Sequence, residues 1–161
     1  MSDRDASFAE GAEQALTLRA ETPEDLPVIS ALVQDAVLSV EDIRYERKER
    51  RLALLLNRFR NEDADNARRE HRPFERVRSL LVISDVGRVQ AQGIGPKDKD
   101  LVISILALNW QPGPDGTGRL ELELAGDGAI AADVECISVD LRDVTQPYIA
   151  PSGKAPNHDD A

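Results

Sequence analysis

The chain has 161 residues, a mass of 17.7 kDa and a formal net charge of -10, the scale of one domain with a core of its own. Hydrophobic residues make up 41% and aromatics only 4%, so the expected core is aliphatic. No apolar run approaches the ~20 residues of a membrane span, no basic segment followed by an apolar one opens the chain, and Cys136 is the single cysteine. These features exclude an internal disulfide framework and fit a cytoplasmic protein.

Residues 1–14 are polar and acidic and read as a disordered arm; residues 150–161, rich in Pro and polar groups, read as a tail. The expected domain is 15–149. Leu16–Arg19 alternates as a short strand. Residues 21–38 then carry Leu26, Ile29, Val33, Ala36 and Val37 at helical spacing. Thr22 as N-cap, with Pro23 at the first helical position and Asp25 completing a capping box, is one start. Asp25 as cap, with Pro27 in the first turn, is the other.

From there the pattern is strand-like. Val40–Tyr45 and Arg51–Arg60 form an expected hairpin around ERKER, followed by a polar loop at Asn61–Arg72. Arg76–Ser84 and Arg88–Ile94 form a second expected hairpin around Asp85–Gly87. Leu101–Trp110, apolar on both faces, is expected to be a central strand. Arg119–Ala125 alternates, with Leu120, Leu122 and Leu124 on one face, and Ile130–Val134 returns beside it. Ile137, Val139 and Leu141 keep a period of two. The expected fold is α+β: one N-terminal amphipathic helix packed on a curled, mainly antiparallel sheet of about seven to eight short strands, with a partly open, pleckstrin-homology-like barrel as its variant.

The net charge has a block structure: -6 over residues 1–40, +3 over 41–78 and -7 over 79–161. The basic block points to an anion site or acidic partner, or to a solvated face that Glu46, Glu49 and Glu62 neutralise. The overall charge opposes phosphate, and the scattered aromatics offer no stacking platform, so nucleic acid is not an expected partner.

Chemical signatures are few. His71 and His158 are the only histidines, so Cys136 has no base at a fixed position and is expected to be a small buried hydrophobe. Two histidines do not make a zinc site. Neither a phosphate-binding glycine fingerprint nor a nucleophile elbow is present. The segment LALLLNRFRNED (52–63) stands apart. Arg58 continues the row of Leu52, Leu54 and Leu56, so its guanidinium at the core edge either pairs with a carboxylate to close the sheet or binds a planar anion. Asn57 falls on the other face with Phe59.

LRAETPEDLPVISALVQDAV, KERRLALLLNRFRNEDA, the Trp-Gln-Pro-Gly run at 110–113 and AGDGAIAADVECISVDLRDV together resemble the DUF2948 family of alphaproteobacterial proteins over residues 16–148. Lys48–Arg51, Asn57–Arg60, Glu62–Asp63 and Val134–Ile137 match the family pattern; Asn61 stands where that pattern has an aromatic. The resemblance implies a small cytoplasmic protein and supplies no catalytic residue.

The functional expectation is a non-enzymatic module that binds a protein partner or small ligand, with Arg50, Arg51, Asn57, Arg58 and Arg60 as candidate contacts. The alternative is a small-molecule enzyme or sensor holding an anionic metabolite near 57–63. No cofactor, metal, nucleic acid or membrane is expected.

Overall fold

A computed structural model describes residues 15–59, 75–144 and 148–149. Eleven strands and one short helix form in it: β1 (Thr17–Ala20), α1 (Leu26–Val33), β2 (Val37–Ser39), β3 (Ile43–Glu46), β4 (Arg51–Phe59), β5 (Glu75–Ile83), β6 (Val86–Gln92), β7 (Val102–Pro112), β8 (Gly118–Leu124), β9 (Ala129–Val134), β10 (Val139–Asp143) and β11 (Tyr148–Ile149). The arm at 1–14, the loop at 61–72 and the tail from 150 lie outside the described residues.

All strand pairs are antiparallel. The sheet runs β1-β10-β5-β4-β2-β7-β8-β9-β6, with β3 also on β4 and β11 also on β5. It does not close: β1 and β6 are its two ends. The sheet is nevertheless strongly folded over. β5 and β6 lie six places apart in the order, roughly 29 Å across a flat sheet, yet only Ser84 and Asp85 join them. The link from β9 to β10 makes the same crossing. Hydrogen bonds lock this corner: Ser84 N–H to Ser138 O, Val86 N–H to Arg50 O and Glu135 N–H to Asp85 O. The result is two layers with one core between them.

Period-two alternation explains which residues fill that core. Leu52, Leu54 and Leu56 of β4, Leu81 and Ile83 of β5, and Val139 and Leu141 of β10 face Leu120, Leu122 and Leu124 of β8 and Ile130 and Val134 of β9. Each fully buried aliphatic side chain contributes roughly 1.5–3 kcal/mol. Leu26, Ile29 and Val33 of α1 belong to the same cluster, so the helix plugs one opening of the folded sheet, mainly against β7.

Several expectations change here. The sheet has more strands than seven or eight, and β4, β5 and β7 are not short. The helix is half the expected length. A 3-10 turn at Pro23–Asp25 precedes it, and Pro27 falls in its first turn, so features of both expected starts are present. Its end is set by tertiary contacts. Asp35 takes a left-handed conformation at φ 67°, Asp35 N–H bonds Ile105 O, and Ile105 N–H bonds Ala36 O. Ala36 and Val37 are buried, as their periodicity says, but on the way into β2. The second expected hairpin does not form: β5 pairs with β4, β10 and β11, while β6 pairs with β9. Asp85–Gly87 begins the corner between layers instead of a turn within one.

Candidate functional site

Arg58 is fully buried, and so is the side chain of Asp143. The register of β4 puts Arg58 on the core face after Leu56, and β5 and β10 bring Ser79 and Asp143 to the same place. Arg58 Nη2 lies 3.0 Å from Asp143 Oδ1 and 3.3 Å from Oδ2, and its Nε donates to Ser79 Oγ at 2.9 Å. Ser79 Oγ donates to Asp143 Oδ1 at 2.6 Å, and Leu16 N–H donates to Oδ2 at 2.8 Å. This carboxylate thus ties together β4, β5, β10 and the entry to β1. A buried charge that keeps such a partner set avoids the desolvation penalty of a lone ion. Of the two fates open to Arg58, carboxylate pairing is the one observed.

The other described candidate residues do not converge on it. Asn57 is half-buried, opposite Val37 on one side and Arg78 on the other, and its side chain takes the opposite face from Arg58. Arg51 stands at the far end of β4, roughly 23 Å away by strand rise, paired with Glu46 across the hairpin at 3.1 Å. Arg50, in the left-handed conformation at φ 56°, reaches Glu135 Oε1 at 2.8 Å; that hydrogen bond raises the pKa of its guanidinium further. Arg60 lies outside the described residues, as does most of the 57–63 segment.

Cys136 is exposed in the link between β9 and β10, against the expectation of a buried hydrophobe. The alternation that suggested burial breaks at this corner. Its Sγ donates to Asp85 Oδ2 at 3.3 Å. That bond, helped by partial desolvation and the Asp85 charge, pushes the thiol pKa up, the reverse of what a nucleophile needs. Among the described residues no group of three or more His, Cys, Asp or Glu could hold a metal ion, and no helix is long and apolar enough to cross a membrane.

A concave feature among the described residues lies elsewhere. A groove of about 510 Å³ runs between α1 and β7. Leu26, Pro27, Ser30 and Gln34 of the helical segment form one wall; Leu106, Leu108, Asn109 and Trp110 of β7 form the other. None of its lining residues is titratable. Two local features shape it. A bulge between Ile105 and Ala107 leaves Leu106 outside the core, 42% exposed. Gly118 lies under the indole of Trp110, where a Cβ would collide with the ring. The ring therefore lies flat over β8, half-buried against the core.

Sequence reasoning read 101–110 as a central strand, apolar on both faces, and missed this surface. The signals present were the lone tryptophan at a strand end and Pro112 two residues later, since proline belongs on an unpaired strand edge. Comparison with curated proteins and with solved structures returns no match. The family model described as "Protein of unknown function (DUF2948)" matches residues 16–158, nearly the whole chain, and the chain belongs to that family.

Proposed function

We propose that this protein is a non-catalytic binding module and that the groove between α1 and β7 is its recognition surface. The observation that carries this reading is the lining itself: an open, mainly apolar groove within the 300–1,000 Å³ range of ligand sites, with no titratable side chain in its walls. Such a surface supplies contact area and shape, and it lacks the acid, base or nucleophile that bond chemistry requires. The partner is a protein segment. The alternative of an anionic metabolite near 57–63 is weakened by the engagement of Arg58 with Asp143.

A displayed peptide library selected on the intact protein tests the reading. Leu106→Arg alters the groove wall, and Val28→Arg is the control, because Val28 is 56% exposed on α1 but does not line the groove. Peptides that bind the native protein and the Val28→Arg variant but not Leu106→Arg are the expected outcome. Peptides indifferent to Leu106→Arg would place recognition elsewhere. An empty selection, with melting-temperature shifts by phosphorylated or carboxylated metabolites, would return the metabolite reading to the front.

A further inference from the structure

We propose that the groove receives its partner as an added β-strand: an extended peptide, with basic residues flanking its apolar centre, pairs with the open edge of β7 at Leu108–Trp110. The proposal rests on the binding reading above and specifies the ligand's conformation and charge.

The hydrogen-bond register of β7 is the first support. Residues of an antiparallel pair alternate between those that bond across the ladder and those whose N–H and C=O point away from it. Gly113 N–H bonds Thr117 O beyond the end of the β7–β8 ladder. Counting back by twos, Gln111 and Asn109 bond toward β8, while Trp110 and Leu108 point their backbone groups away. The other end of the strand agrees. Ile105 bonds Asp35 and Ala36 on the β2 side, Ser104 O accepts from Ala125 N–H on the β8 side, and the bulge after Ile105 shifts the phase by one. Leu108 N–H confirms the direction, because it meets the hydroxyl of Ser30 on α1 at 3.0 Å.

No strand covers this side. Past Ser104, where β2 stops pairing, the β2-side edge of β7 has no strand neighbour among the described residues. Leu108 C=O, Trp110 N–H and Trp110 C=O therefore open toward the groove. Sheet edges are ordinarily blunted by bulges, prolines or charges. Here the bulge at Leu106 and the proline at 112 bracket the stretch, and the residues between them carry none of these devices. The helix wall stands beside that edge and reaches its backbone through the Ser30 hydroxyl. Backbone pairing would give affinity and alternate side-chain pockets would give selectivity, which is the logic of peptide recognition by strand addition.

Charge identifies the flanks of the peptide. Glu121 and Glu123 of β8 are paired opposite Asn109 and Ala107, both lining residues, so they stand one strand beyond the groove on the same face of the sheet. Glu24 follows Pro23 at its helix end. Among the described residues none of these three acids forms an ion pair. A peptide with Lys or Arg on either side of its apolar centre matches this rim; an acidic one is repelled.

The test uses the intact protein and two synthetic nonapeptides, Lys-Lys-Val-Thr-Val-Thr-Val-Lys-Lys and its counterpart with Glu in place of Lys. Trp110 is the only tryptophan, so its emission reports occupancy, and amide exchange reports the mode. The Trp110 amide is expected to exchange freely without peptide. At 100 times the dissociation constant only ~1% of sites remain free, so the lysine peptide should slow that amide by up to about a hundredfold. Asn109 and Gln111, already bonded to β8, should change little. The glutamate peptide should bind about tenfold or more weakly, and Glu121→Lys with Glu123→Lys should narrow that gap.

The failures are separable. An emission change that is lost in Leu106→Arg but leaves Trp110 exchange untouched would overturn strand addition and keep the groove as a binding surface. Silence from both peptides would also overturn strand addition, and the library selection, which assumes no ligand conformation, would then judge the binding reading. A Trp110 amide protected before any peptide is added would show the edge already covered, by this chain or by a second copy, and would overturn the proposal.

Discussion

At the scale of single residues, the buried Arg58–Asp143 pair and the exposed Cys136 carry opposite lessons. Arg58 was legible as a core-edge arginine because it extends the row of Leu52, Leu54 and Leu56. Its partner was not, since Asp143 lies 85 residues away and 30 acids compete for the role on paper. Truncating one side of a buried ion pair leaves the other charge stranded, so Arg58→Ala should cost about 3–5 kcal/mol of stability. Replacing both partners, as Arg58→Met with Asp143→Leu, should cost less than the single change; urea denaturation of the three proteins checks the order. Loss of stability equal to or greater than the single variant's in the double would show that other contacts of Arg58 dominate. Cys136 is accessible, yet its hydrogen bond to Asp85 raises its pKa. Its alkylation at neutral pH should therefore be slower than that of an unstructured cysteine peptide, and Asp85→Asn, which keeps a residue tolerant of positive φ, should speed it. Equal rates before and after that substitution would remove the Asp85 bond as the cause.

At the scale of elements, α1 shows how far periodicity reads and where it stops. Leu26, Ile29 and Val33 are core residues as their spacing says. The overshoot through Ala36 and Val37 arose because burial at the entry to β2 looks, over two residues, like burial on a helix face. The turn before α1 was legible in its capping residues, and it carries a pH dependence. The Asp25 carboxylate accepts the N–H groups of Glu21 and Thr22 at 3.0 and 3.1 Å; the Glu21 bond first, then the Thr22 side chain and N–H, lower its pKa below the ordinary aspartate value. A carboxyl group with a depressed folded pKa adds stability above its unfolded pKa of roughly 3.9 and loses it as pH falls through the folded value. The melting temperature of Asp25→Asn should therefore lie below that of the native protein at pH 7, with the difference shrinking once the native carboxyl protonates in acid. A difference that persists unchanged in acid would assign the effect to something other than this carboxylate. The β5–β6 misreading has a different origin. Two alternating segments joined by Asp-Val-Gly look like a hairpin, and only the bonds from Ser84 and Glu135 to distant carbonyl partners show that they separate into different layers.

At the scale of the whole molecule, the dominant fact is how far apart in sequence the paired strands are. Alternation along each strand revealed the core residues and the β8–β9 pairing, because those depend on neighbours. It could not reveal that β1 pairs with β10, with Thr17 opposite Arg142, or that β2 reaches across to β7. Those pairings follow from the folding-over of the sheet, and the groove follows from them: β2 begins at Val37, where the chain from α1 arrives opposite Ser104, and past that point β7 is paired with β8 on one side only, its other edge lying beside the helix. The same non-local pairing sets the folding rate. Loop-closure entropy must be overcome before β1–β10 and β9–β6 contacts stabilise anything, so refolding should take about milliseconds to seconds, in the range of all-β topologies. Stopped-flow refolding followed by the emission of Trp110 measures it directly, because that indole takes up its place over Gly118 only when β7 and β8 are paired and in register. Emission from this local hairpin recovering in microseconds, while the whole chain regains protease resistance far later, would show that β7–β8 forms as an independent unit ahead of the rest. A single slow phase common to both measurements is expected, because the core face of the β7–β8 hairpin is covered only when the other layer of the folded sheet closes over it.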